Sequence, residues 1–245
     1  MLTFKRSLLI LIGVFALCNV EARADSFVIT NVNGTVFVNT SSDSGPPILR
    51  LAPEFTLAGP GLLIGTNAPA ASGGDPGNVE ARDTCIINGC TPGTVIGTNS
   101  SFSGLIAPAL GAHATVNGVH FAFVQLTGSL NFVSSSIVIP NSGGGVFQVT
   151  LPFTFSGNLT GDALQQNVVN PVFTATLSGQ GLATFIFFDI TQGTSSPLYR
   201  LSSIEYQFEA VPEPATVLLL SSGLGWLIAA GRRRRRSALK DMKEN

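Results

Sequence analysis

The chain has 245 residues, of which 44% are hydrophobic and only 11% charged; that is the apolar content of a globular protein with less than half its usual charge. The overall net charge of −1 hides two opposed regions. Between Asp25 and Ala210 three basic residues (Arg50, Arg82, Arg200) stand against ten acidic ones, net −7, whereas from Arg232 onward seven basic residues stand against two acidic ones, net +5. A body that is acidic and lacks lysine cannot neutralise a phosphate backbone, so nucleic acid is excluded as a partner.

The first 24 residues read as an export signal. Lys5 and Arg6 precede the apolar run Leu8 to Cys18, and Ala22-Arg23-Ala24 places small residues where a signal peptidase requires them, so cleavage is expected before Asp25. Eleven apolar residues are too few to span a bilayer as an uncleaved anchor. Leu17 in front of Cys18 disfavours a lipoprotein signal.

The body, residues 25–210, reads as β throughout. Asn33-Gly34 separates "FVITNV" from "TVFVN", and Asn117-Gly118 separates "HATV" from "VHFAFVQL"; both steps favour a two-residue hairpin turn. Further strands are expected at 47–57, 128–140, 145–157, 171–179, 181–191 and 199–210. In the third of these, Phe147, Val149, Leu151 and Phe153 share one face, while Gln148, Thr150 and Pro152 take the other. No segment shows a helical period. The expected class is therefore all-β, an antiparallel sandwich of jelly-roll or Ig-like type.

Residues 65–104 break the pattern, being rich in Gly, Ala, Pro, Asn and Ser. They read as a long excursion with one short strand near "TVIG", serving either as decoration or as a recognition surface. The excursion contains Cys85 and Cys90, the only cysteines left after signal cleavage. In an oxidising compartment they are expected to form a disulfide across a tight turn, stabilising by ~2 kcal/mol. A redox pair usually has two intervening residues, and no second Cys/His pair lies nearby to complete a metal site.

Catalytic signatures are missing. There is no GxSxG elbow, HExxH, P-loop or EF-hand loop. Pairing about Asn117-Gly118 sets His120 opposite Thr115, which is expected to hold the imidazoles of His113 and His120 apart. Asp75, Glu80 and Asp83 make the long loop acidic but lack the alternate-position spacing of a calcium loop. No catalytic residue, metal ligand or cofactor is assigned.

The last segment carries the most specific signal. Val211-Pro212-Glu213-Pro214 is followed by seventeen uncharged residues, 215–231, and then by Arg232, Arg233, Arg234, Arg235 and Arg236. As a helix, 215–231 would span ~25 Å, somewhat less than a ~30 Å hydrocarbon core, and the arginines would stop translocation and stay in the cytoplasm with residues 237–245. The two prolines keep the preceding box extended.

In that order the three parts resemble the bacterial PEP-CTERM sorting signal. The resemblance covers about a tenth of the chain. It implies a Gram-negative-type envelope and processing by a membrane enzyme of the exosortase class. It also implies a transient inner-membrane anchor with the body outside the cytoplasm, then delivery to the cell surface or an exopolysaccharide matrix. The tail "SALKDMKEN" after the arginines departs from the usual early stop. Signal peptidase, the exosortase and the inner membrane are the implied partners, with exopolysaccharide a further candidate. The function expected from the whole is a non-enzymatic surface or matrix protein. The alternatives are a secreted glycan-binding module or hydrolase with a loop-borne site, or a plain single-pass anchored protein. The body has no tryptophan, and Tyr199 and Tyr206 are its only tyrosines, which counts against sugar binding by ring stacking.

Overall fold

A computed structural model describes residues 24–40, 47–67, 77–85, 89–141, 145–165, 168, 170–191 and 196–208. The expected signal segment, the box, the apolar segment 215–231 and the arginine cluster lie outside the described residues. Among the described residues no helix is long and apolar enough to cross a membrane.

The first part of the body holds β1 (Asp25–Ile29), β2 (Asn31–Asn39), β3 (Ile48–Leu51), β4 (Thr56–Gly59), β5 (Leu62–Thr66) and β6 (Asn78–Val79). A short helix α1 (Glu80–Cys85) follows, then β7 (Val95–Ile96), β8 (Ser100–Ala107), β9 (Ala112–Val116) and β10 (Val119–Phe121). The rest is β11 (Val124–Ser134), β12 (Ile137–Val138), β13 (Val146–Ala163), β14 (Phe173–Asp189) and β15 (Tyr199–Phe208). The all-β class holds. Thirteen strands form one curled sheet in the order β10-β9-β5-β4-β2-β15-β14-β13-β11-β8-β6, with β3 beside β2 and β1 beside β14. The pairing is antiparallel except for β1, which runs parallel to Phe173–Leu177. The β4-β5-β9-β10 arm joins the rest through β2, and β9 returns to touch β11. The remaining two strands, β7 and β12, pair with each other in a separate two-stranded sheet.

Four local expectations change. Asn117-Gly118 is the hairpin turn expected, with φ of 49° and 85° and Val116 paired to Val119. Asn33-Gly34 is not a turn. β2 runs straight through it, pairing with β4 up to Asn33 and with β15 from Gly34 onward. Gly34 has φ 102°, and a Cβ there would come within 2.8 Å of Phe55 Cα, so the Asn-Gly step serves a strand that changes partners. The second change is at 171–191, where one strand, β14, runs through Gly179 and Gly181. Third, 47–57 is broken into β3 and β4 by a turn at Pro53-Glu54. Fourth, α1 appears where no helical period was read, because six residues are too few to show one.

Period-two burial sets the core. Phe147 and Phe153 are buried, and Val149 and Leu151 pack against the same cluster, as the alternation requires. The centre is Phe132 of β11, stacked on Tyr206 of β15 with ring centroids 4.1 Å apart. Phe153, Phe155 and Phe208 crowd around the pair. On a flat sheet β11 and β15 would be three strand spacings apart, about 14 Å. Their rings meet because the sheet curls and because β14, lying between, presents Gly179, Gly181 and Ala183 there instead of large side chains. The phenol of Tyr206 donates to Ser100 Oγ at 2.9 Å. Burial pushes its pKa up, opposed in part by that hydrogen bond.

Four outcomes follow from this packing. Phe132→Ala should lose ~3–5 kcal/mol in urea denaturation. Gly179→Ala should stay within about 1 kcal/mol of wild type, because its Cβ would meet Val32, Phe155 and Phe208 at 3.4–3.6 Å. Gly181→Ala, whose Cβ would collide with the Gln207 carbonyl oxygen, should lose ~2 kcal/mol or more. Since the phenol pKa is raised on folding, its contribution is full below the ordinary tyrosine value and is lost as pH climbs above ~10. Melting temperatures measured across pH 9–12 should fall more steeply for wild type than for Tyr206→Phe.

Candidate functional site: the stapled cover, the outer sheet face and the sorting segment

The excursion expected at 65–104 is largely a cover on the core. Gly65 and Thr66 finish β5, Ser100 starts β8, and β7 forms the short strand expected near "TVIG", paired to β12. Val79, Ala81, Cys85, Cys90 and Ile96 are all buried. Cys85 and Cys90 are disulfide-bonded. Cys90 also exchanges two backbone hydrogen bonds with Tyr199, at 2.8 and 2.9 Å, so the bridge ties the end of α1 to the start of β15. Glu80 accepts from the Asn99 amide at 3.3 Å, and Asp83 pairs with its neighbour Arg82 at 3.5 Å. Asp75 lies outside the described residues. Among the described residues no three His, Cys, Asp or Glu side chains converge on a point that could hold a metal.

The two histidines are closer than expected. His120 does pair with Thr115, but the rings are 5.9 Å apart, because diagonal cross-strand neighbours share a face and long side chains bridge the gap. They still do not form a shared metal site. Asn67 Nδ2 donates to Leu110 O at 3.1 Å, which turns its Oδ1 toward His113 Nδ1 at 3.0 Å. The Nε2–Cε1 edge of His113 lies over Gly65, on the β5 side of β9, whereas His120 belongs to β10 on the other side. Both nitrogens of His113 therefore face away from His120, which contacts Thr115 Oγ1 at 3.3 Å.

The outer face of the large sheet is the other feature of note. Two adjoining depressions cross β11, β13, β14, β15 and β2 at right angles to the strands. The first, about 420 Å³, is lined by Val133, Pro152, Thr154, Gln180 and Leu182 among others. The second, about 260 Å³, is lined by Asn33, Gly34, Thr35, Leu182, Gln207 and Phe208. Leu182 belongs to both, and no lining residue of either is charged. Register explains the row: Val133 lies opposite Thr154 and Thr154 opposite Gln180, while Pro152, Leu182, Gln207 and Thr35 form the next row. Pro152 stands one residue beyond the last β11–β13 pair, Ser134↔Phe153, where the ladder has no partner on that side to miss its N–H. Tyr199 and Tyr206 are fully buried, so neither offers a ring to this face. Sequence reasoning missed the groove, although even-numbered residues of β14 point outward by the alternation applied to β13.

At the start of the body, Asp25 opens β1 and its Oδ2 accepts from Asn117 Nδ2 at 2.6 Å. Ala22 and the box residues Val211, Pro212, Glu213 and Pro214 lie outside the described residues, as do Arg232 to Arg236.

Residues 210–236 match the family model of the PEP-CTERM protein-sorting motif. The chain carries a PEP-CTERM sorting motif. The motif implies an exported protein, passed transiently through the membrane to the cell surface by exosortase-type machinery. No curated protein and no solved structure matches the chain.

The buried bridge has a direct check. Native protein should take up no alkylating reagent until it is both reduced and denatured, and a Cys85→Ser, Cys90→Ser double variant should lose ~2 kcal/mol. Ready labelling of the unreduced native form would rule the bridge out.

Proposed function

We propose that the chain is a non-enzymatic protein of the cell surface or extracellular matrix that works beside an exopolysaccharide, cut by signal peptidase before Asp25 and by an exosortase at the Pro-Glu-Pro box. The observation that carries the reading is the contiguity of box, apolar segment and arginine cluster within residues 210–236, where the sorting motif matches. Each part has a physical task. The two prolines hold the box extended, as a protease must grip it. The apolar segment is short and contains Ser221-Ser222, Gly223 and Gly225, so it holds a bilayer weakly. Five arginines make translocation of the end unfavourable and stall the chain for processing.

Two features of the body fit this reading, one bearing on the absence of a catalytic pair and one on the signal-peptidase cut. Its histidines contact Asn67 and Thr115, and among the described residues neither meets a carboxylate. The first strand begins at Asp25, so cleavage before it removes no described strand.

Replacing Pro212-Glu213-Pro214 with alanines should leave a full-length, membrane-bound form in a host that has an exosortase. Mass spectrometry of wild-type protein released from that surface should find an N-terminus near Asp25 and no peptide from Leu224 onward. An intact C-terminus on the mature surface protein would refute sorting and leave a plain single-pass anchor.

A further inference from the structure

We infer that the outer-face groove centred on Leu182 binds a neutral polysaccharide running across the strands; the inference rests on the matrix reading above and names the ligand class and the residues.

The chemistry of the lining selects the ligand. Sugars present C–H faces and hydroxyl groups, and need apolar contact beside uncharged groups that both donate and accept. Val133 and Leu182 are 50% and 40% exposed, and with Pro152 they supply the apolar floor. Thr154, Gln180 and Gln207 supply hydroxyl and amide groups along it. Strands lie about 4.8 Å apart, close to the length of one sugar ring in an extended chain, so a polymer crossing β11, β13, β14, β15 and β2 meets a fresh outward side chain with each residue.

The same lining disfavours other polymers. An acidic polysaccharide would find no cation in the groove, and the −7 body repels it. A peptide is normally taken at a strand edge, where backbone groups are free to pair, and not on the face of a sheet. Phe153 and Phe208 also border the depressions but are buried, so ring stacking contributes little; affinity comes from several weak contacts along the row, and Leu182, shared by both depressions, carries the largest part.

Affinity electrophoresis of the full chain in mild detergent through gels containing a soluble neutral β-glucan tests this. Retardation is expected, should survive about 1 M salt, and should weaken roughly tenfold in Leu182→Glu and several-fold in Gln180→Ala. Val146→Glu, at a position 66% exposed on the same outer face but outside the groove, should behave as wild type. Resistance of the buried Cys85–Cys90 bridge to reduction and alkylation in the absence of denaturant shows that each variant is folded. No retardation, equal retardation of Leu182→Glu, or retardation abolished by salt, as the arginine tail would give, overturns the site. Loss of self-association in Leu182→Glu without any glucan effect would make the face an interface between copies and also overturn it. A chain processed and released normally but not retarded sinks the groove alone. A chain retarded but never processed sinks the sorting reading alone.

Discussion

The packing of rings over the small residues of β14 is the constraint on which the rest depends. Phe132 and Tyr206 come from strands with two others between them, yet their centroids are 4.1 Å apart. Gly179, Gly181 and Ala183 leave the inner surface of β14 open at that level, and the Phe155 and Phe208 rings close over Gly179. A large side chain at any of the three would push the rings outward and flatten the sheet. The curl in turn lets β2 serve both arms and brings β9 back against β11. A second aromatic group, Phe147 stacked on Phe187 at 4.8 Å with Tyr199 edge-on at 4.7 Å, lies toward the other end of β14, where β14 itself supplies one of the rings.

A body with so few charges has to satisfy its polar groups by other means, and it does so with hydroxyl groups. Thr40 donates to Leu201 O at 2.7 Å, Thr66 to Ala52 O at 2.6 Å, and Thr98 to Ser135 O at 2.8 Å. Buried hydroxyls of this kind tie separate segments together without the desolvation penalty of buried ions. The outer face follows the same economy: Thr150 meets Thr184 across β13 and β14 at 3.0 Å. A surface of this composition has little electrostatic pull on charged partners, so any recognition by it rests on shape and on neutral hydrogen bonds. The stapled cover fits the pattern too, since it contributes buried Val79, Ala81 and Ile96 to the core and, among its described residues, exposes Asn78, Thr84, Thr91 and Asn99 beside the single large apolar side chain of Val95.

Routing and recognition reside in different parts of the chain. The sorting motif is a linear signal defined by the order, hydropathy and charge of its parts. The body contributes a buried core, the Cys85–Cys90 disulfide and a first strand that starts at Asp25. Nothing about the motif dictates the groove on the outer sheet face, and nothing about the groove dictates the motif.

By itself the sequence determined the sorting motif, the all-β class, the Asn117-Gly118 hairpin, the Cys85–Cys90 bridge and the inward set Phe147, Val149, Leu151 and Phe153. Each of these depends on residues near one another along the chain, where turn geometry and period-two alternation act directly. Tertiary structure decided the rest. Gly34 became a crossing point instead of a turn because β2 pairs with β4 on one side of it and β15 on the other. Gly179 and Gly181 stayed inside one long strand because rings from β13 and β15 needed the room. His113 turned from His120 because Asn67, 46 residues earlier, holds its Nδ1. The groove lies on a row assembled from five strands whose register no single strand encodes. Contacts between distant strands set these outcomes, and local periodicity carries no information about which strands become neighbours.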